Sequence, residues 1–121
     1  MSRAILNETQ IHTAIREKVA HHEQDIVQEV QSAVAHHAVV VVGMAMNPYP
    51  KKARKALTAA GINHHYLEYG NYFNNWRQRN ALKMWTGWPS FPIVFVKGTL
   101  VGGADDLVKL IKSGELKKML S

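Results

Sequence analysis

From Ala38 the chain reads Ala-Val-Val-Val-Val up to Gly43. A β-branched apolar run with no polar alternation is the composition of a central strand buried on both faces. Ahead of it the pattern is helical. Asn7-Glu8-Thr9-Gln10 has the capping-box spacing of a helix start, and Ile11, Ile15 and Val19 then recur on one face. His21-His22 interrupts that stripe. Ile26, Val27, Val30 and Val34 take up a second one, which ends near His36-His37.

After Gly43 the alternation of strand and helix continues. Pro48 and Pro50 suit only the first turn of a helix, Ala53 to Ala60 is rich in helix formers, and Gly61 stops it. His65 to Tyr69 alternates as a second strand, and the helical crossover makes it a parallel partner of the first. Tyr72 to Trp85 predicts another helix. Ile93 to Val96, a turn at Lys97-Gly98 and Thr99 to Val101 predict an antiparallel hairpin. Leu107, Leu110 and Ile111 begin a last helical region, broken at Ser113-Gly114 before Leu116 and Leu120. The order β-α-β-α-β-β-α behind a helical extension implies an α/β fold of the thioredoxin-like class, with a four-stranded mixed sheet flanked by helices.

A chain of 121 residues, 46% hydrophobic and 20% charged, suits one domain that buries roughly two thirds of its unfolded surface. It has no apolar run of the ~20 residues a membrane span needs, and no signal-peptide core near its start, so a soluble, cytoplasmic protein with no membrane partner is expected. The absence of cysteine excludes disulfides, thiolate metal sites, self-supplied iron-sulfur ligation and any cysteine nucleophile.

The net charge of +6 would suit an anionic partner. Its carriers are spread, however, with Lys51, Lys52, Arg54 and Lys55 in one predicted helix and Lys109, Lys112, Lys117 and Lys118 in another, as on solvated helix faces. No RNA-binding signature accompanies Tyr66 and Tyr69, so these are read as core and groove-wall residues and nucleic acid is not an expected partner. The doublets His21-His22, His36-His37 and His64-His65 point their rings in different directions and offer no i, i+4 pair, so no metal site is expected. Trp76, Trp85 and Trp88 are read as packing residues, with Trp88 at the border of a groove.

Five linked features carry more information: Arg79, Lys83, Trp88-Pro89-Ser90-Phe91-Pro92, Gly102-Gly103-Ala104-Asp105 and Ser113-Gly114-Glu115-Leu116, with Asn47-Pro48-Tyr49-Pro50 standing apart from them at the end of the first strand. From about Glu23 onward the chain resembles the glutaredoxin family, most closely the monothiol Cys-Gly-Phe-Ser type. The resemblance divides it into a helical extension, residues 1–22, and a glutaredoxin-like domain, residues 23–121. In that family the Arg and Lys grip the glycine carboxylate of glutathione, and here Arg79 and Lys83, four apart on a helix, would share one anion. The proline of the Trp-Pro stretch is cis in the family, so Phe91 would pair its backbone with the cysteinyl part and Pro92 would fix that geometry. Gly103 would let the backbone approach closely. The amides of Ala104 and Asp105 would receive the γ-glutamyl carboxylate, with the Asp105 side chain on the ligand's ammonium.

Asn47 stands in the place of the family's nucleophile, and the lysine that precedes that cysteine is replaced by the Gly43-to-Met46 stretch. Asn can cap the helix and hydrogen-bond a ligand thiol, but it cannot attack a disulfide. The resemblance therefore implies no catalytic residue and no iron-sulfur cluster. It implies a glutathione- or thiol-peptide-binding adaptor of redox homeostasis, with glutathione or a thiol-containing peptide or protein as partner. Two alternatives stay open: an enzyme that activates the ligand's own thiol at the helix after Asn47, and a basic domain that uses Lys51 to Lys55 and the C-terminal lysines to bind a partner.

Overall fold

A computed structural model describes residues 3–121. A 3-10 turn at Glu8–Gln10 leads into α1 (Thr13–His21), α2 (Gln24–His36), β1 (Val39–Gly43), α3 (Pro48–Ala59) and β2 (His65–Glu68). Then follow α4 (Trp76–Thr86), β3 (Ile93–Val96), β4 (Thr99–Gly102), α5 (Ala104–Ser113) and α6 (Glu115–Leu120). The sheet order is β2-β1-β3-β4, with β1 parallel to β2 and antiparallel to β3, and β4 antiparallel to β3. This is the four-stranded mixed sheet that the hydrophobic pattern implies.

Every residue of β1 is buried, and the strand's two faces feed two different cores. Val40 and Val42 join Ile93 and Phe95 in packing against Ile26 and Val30 of α2 and Leu82 of α4. Val39 and Val41 join Val94 and Val96 in packing against Leu57 of α3, Leu107 of α5 and Leu116 of α6. The uninterrupted valine run is thus the signature of a strand with helices on both sides. At the tip of the β3–β4 hairpin Lys97 and Gly98 both adopt left-handed backbone, at φ 47° and 80°, as a two-residue turn requires.

The N-terminal helices differ from the sequence expectation. The Asn7 signal is genuine but caps only the short 3-10 turn, where its Oδ1 accepts the Thr9 N–H at 2.9 Å; α1 starts later, behind His12, whose Nδ1 accepts the Ala14 N–H at 3.0 Å. No residue of α1 is buried. Ile15 and Val19 instead border an apolar groove of about 610 Å³ shared with Met84 and Trp85 of α4. Helix α4 begins at Trp76 and not at Tyr72. The intervening asparagines hold a loop: Asn71 Oδ1 accepts the Phe73 N–H at 2.8 Å, Asn74 Oδ1 accepts the Asn71 N–H at 2.9 Å, and Asn75 turns left-handed. Trp76 is left 58% exposed, so it is not a packing residue, whereas Trp85 lies against Phe95 with ring centroids 5.8 Å apart. Among the described residues no helix is long and apolar enough to cross a membrane.

Candidate functional site

The start of α3, the loop entering β3 and the start of α5 enclose a cleft of about 500 Å³. Six of the seven residues the sequence assigns to a ligand line it, namely Lys83, Phe91, Pro92, Gly103, Ala104 and Asp105, and Asn47 and Trp88 border it too. The peptide bond between Phe91 and Pro92 is cis.

The α5 side of the cleft is built by a close approach. Gly102 sits at φ 111°, and a Cβ there would lie 2.6 Å from a carboxylate oxygen of Asp106. The absence of a side chain lets that carboxylate fold back, where its Oδ2 accepts the Gly103 N–H at 3.0 Å. The first hydrogen bond of the helix runs from Leu107 N–H to Gly103 C=O at 3.0 Å. The N–H groups of Ala104, Asp105 and Asp106 therefore precede any intrahelical partner and form the positive end of the helix. Gly103 has more freedom, since a Cβ on it would make only ordinary contacts at 3.6 Å. Asp106, three positions after the N-cap Gly103, has the capping-box spacing that marks such a helix start in a sequence.

Arg79 lies apart from this cleft. Its side chain is buried, and Nη1 donates to the carbonyls of Tyr69 at 3.1 Å and Asn74 at 2.6 Å, pinning the loop that leads from β2 into α4. The expected sharing of one anion by Arg79 and Lys83 is not what the geometry provides. One helical turn further on, Lys83 reaches the cleft with its Nζ 5.6 Å from the centre of the Phe91 ring, within range of a cation–π contact. Asp105 pairs across the cleft mouth with Lys52 at 2.7 Å. The hydrogen bond and charge of Lys52 hold the Asp105 carboxyl below its ordinary range, and Asp105 raises the Lys52 ammonium in return. Both side chains are exposed, so a ligand ammonium can displace Lys52 from this contact.

The opposite wall is chemically quieter. Asn47 caps α3, its Oδ1 accepting the Tyr49 N–H at 3.0 Å. Pro48 and Pro50, flanking Tyr49, have no N–H to offer. Pro50 also packs against the end of β1, where a Cβ on Gly43 would come within 2.7 Å of it. The indole Nε1 of Trp88 is buried with no hydrogen-bond acceptor. Tyr66 and Tyr69 do not form the groove wall. Tyr66 packs on the α3 core beneath the Arg54 guanidinium, 4.1 Å from its ring centre, and donates to Glu68 at 3.0 Å; burial first, then that carboxylate, push its hydroxyl up to about 12. Tyr69 is buried on the other face and donates to Glu29 at 2.5 Å, and burial followed by that bond raises its hydroxyl as well. His37 and His65 stack with centroids 4.1 Å apart, and no group of three or more acidic or imidazole side chains among the described residues could hold a metal.

A sequence model of the glutaredoxin family matches residues 39–101. A glutaredoxin-like protein of Dictyostelium discoideum is 46% identical over 98 residues, which make up 81% of this chain and 80% of that one. The chain belongs to the glutaredoxin family. Its fold agrees with the crystal structure of oxidised glutaredoxin 2 from Chlamydomonas reinhardtii at a TM-score of 0.70 and 32% identity, over 81% of this chain and 92% of the other. It also agrees with a buckwheat glutaredoxin–glutathione complex at a TM-score of 0.69 and 24% identity, over 82% and 90% of the two chains. The thioredoxin-like fold of the family is therefore present in a member with no cysteine anywhere in its sequence.

Proposed function

We propose that this protein binds glutathione or a closely related γ-glutamyl peptide in the cleft between α3 and α5, and serves as a binding or adaptor module of redox homeostasis with no thiol–disulfide exchange of its own. The observation that carries this reading is the gathering of Lys83, Phe91, Pro92, Gly103, Ala104 and Asp105 around one cleft from three separate elements. Lys83 supplies a cation for the glycine carboxylate. The backbone of Phe91 faces the cysteinyl unit. The N–H groups at the start of α5 receive the γ-glutamyl carboxylate, and the Asp105 carboxylate exchanges Lys52 for the ligand's ammonium. Arg79 is given no part in the contact, because it does not line the cleft and its Nη1 donates to two backbone carbonyls of the loop before α4.

One observation favours binding over an enzyme that activates the ligand's own thiol: the start of α3 has one N–H in its first three residues, already accepted by Asn47. A thiolate placed there would lack the donors that lower its pKa at a helix start. Isothermal titration with reduced glutathione tests the reading. Saturable heat at millimolar ligand, about tenfold weaker in Lys83→Ala, is expected, since hydrogen bonds to charged groups are worth about 1.5–3 kcal/mol. Absence of heat at those concentrations rejects it.

A further inference from the structure

At the α3 end of the cleft, where the proposed tripeptide would lay its sulfur, the protein offers neither charge nor nucleophile. Asn47 is neutral and its Oδ1 is taken, while Pro48 and Pro50 contribute no donor. Lys51 and Lys52 follow in the same helix, but both are exposed and Lys52 is held by Asp105 at 2.7 Å. What this end does offer is apolar surface. Met44 is buried, and the rings of Tyr49 and Tyr72, 52% and 58% exposed, line the same cleft. Large aromatic rings left half in water gain most from a ligand that covers them.

Resting on the tripeptide-binding reading above, we propose that the preferred ligand is a thioether S-conjugate of a γ-glutamyl-cysteinyl peptide, whose apolar or aromatic substituent lies against Met44, Tyr49 and Tyr72. A thioether sulfur carries no charge and no proton, so the lack of N–H donors at the start of α3 costs it nothing. The Asn47 Nδ2 remains as an amide donor at that end. No bond is made or broken on binding. The wall where a cysteine would have attacked a disulfide becomes a surface that recognises what the sulfur carries, and discrimination comes from buried apolar area.

The experiment is a set of titrations of the full chain at pH 7 with glutathione, S-methylglutathione and S-benzylglutathione. S-benzylglutathione is expected to bind about tenfold more tightly than glutathione, as follows from covering about 60 Å² of apolar surface, with the S-methyl compound between them. In Tyr72→Ala and Tyr49→Ala, checked for native circular dichroism, the ratio of S-benzyl to S-methyl affinity falls toward one. If glutathione binds and its S-benzyl conjugate binds no more tightly, the conjugate proposal is overturned while the tripeptide reading stands. A ratio that stays unchanged in both tyrosine variants likewise overturns it. If none of the three ligands gives heat, the tripeptide reading falls and takes this inference with it.

Discussion

Two helix starts border the same cleft, and they are prepared for opposite tasks. Helix α5 opens with Ala104, Asp105 and Asp106, three residues whose N–H groups precede the first helical hydrogen bond, and Asp106 satisfies only the Gly103 amide behind them. Helix α3 opens with Pro48, Tyr49 and Pro50, of which Tyr49 alone has an N–H, and Asn47 already accepts it. Both helices have a dipole, yet a dipole stabilises an anion chiefly through the free donors at its positive end. The comparison shows that two helix starts on one cleft can differ in the donors they present, three N–H groups ahead of the first helical bond in α5 and a single, already accepted one in α3. Asn47 stands where the resemblance places the family's cysteine, and the first three residues of α3 after it have no unaccepted N–H.

The largest break in that contrast comes from Gly102→Ala. Left-handed backbone at φ 111° and a methyl group 2.6 Å from the Asp106 carboxylate would force the cap open, lowering stability by about 2–4 kcal/mol in urea unfolding and abolishing glutathione binding. Next come Arg79→Ala and Lys83→Ala, which should separate stability from affinity. Arg79→Ala leaves the Tyr69 and Asn74 carbonyls without their donor and should lower stability by about 2 kcal/mol, with glutathione affinity changed less than twofold. Lys83→Ala should do the reverse, with stability within about 0.5 kcal/mol of wild type and affinity reduced about tenfold.

On the α3 side, Asn47→Ala should lower stability by about 1 kcal/mol through loss of the cap. Asn47→Cys sharpens the comparison further. Its thiol should titrate near the ordinary value of about 8.5, as followed by thiolate absorbance, because the prolines leave it one backbone donor. A thiol several units lower would mean that the helix start still activates sulfur. The smallest effect is at alkaline pH. The Tyr66 hydroxyl is raised in the folded protein to about 12, so the stability it contributes is complete below pH 10 and is lost as pH rises through about 12. Tyr66→Phe should flatten that alkaline decline while leaving the neutral-pH melting temperature nearly unchanged.

The sequence showed most of the frame because the frame rests on local signals. Four consecutive valines could only be a doubly covered strand, and Gly98, Gly102 and Gly114 each mark a backbone turn of positive φ that the chain adopts. Most of the cleft was readable for the same reason, since Phe91-Pro92 and Gly102-to-Asp105 are contiguous motifs whose geometry travels with them. What escaped depended on long-range paths. Arg79 and Lys83 share a helical stripe, but the asparagine-held loop passes under the first turn and captures Arg79 while leaving Lys83 at the cleft. Lys52 and Asp105 are 53 positions apart, and no local pattern pairs them. In α1 the apolar spacing of Ile15 and Val19 was real, but it borders an open groove and not a core, which periodicity alone cannot distinguish.

The account turns on the start of α5 being the anion-receiving end of a glutathione-sized cleft. Amide chemical-shift mapping during titration with reduced glutathione addresses it directly. The predicted result is saturable shifts concentrated at Phe91, Gly103, Ala104 and Asp105, with a smaller response at Tyr49. Shifts absent at these four amides, or confined to the apolar groove between α1 and α4, would contradict it.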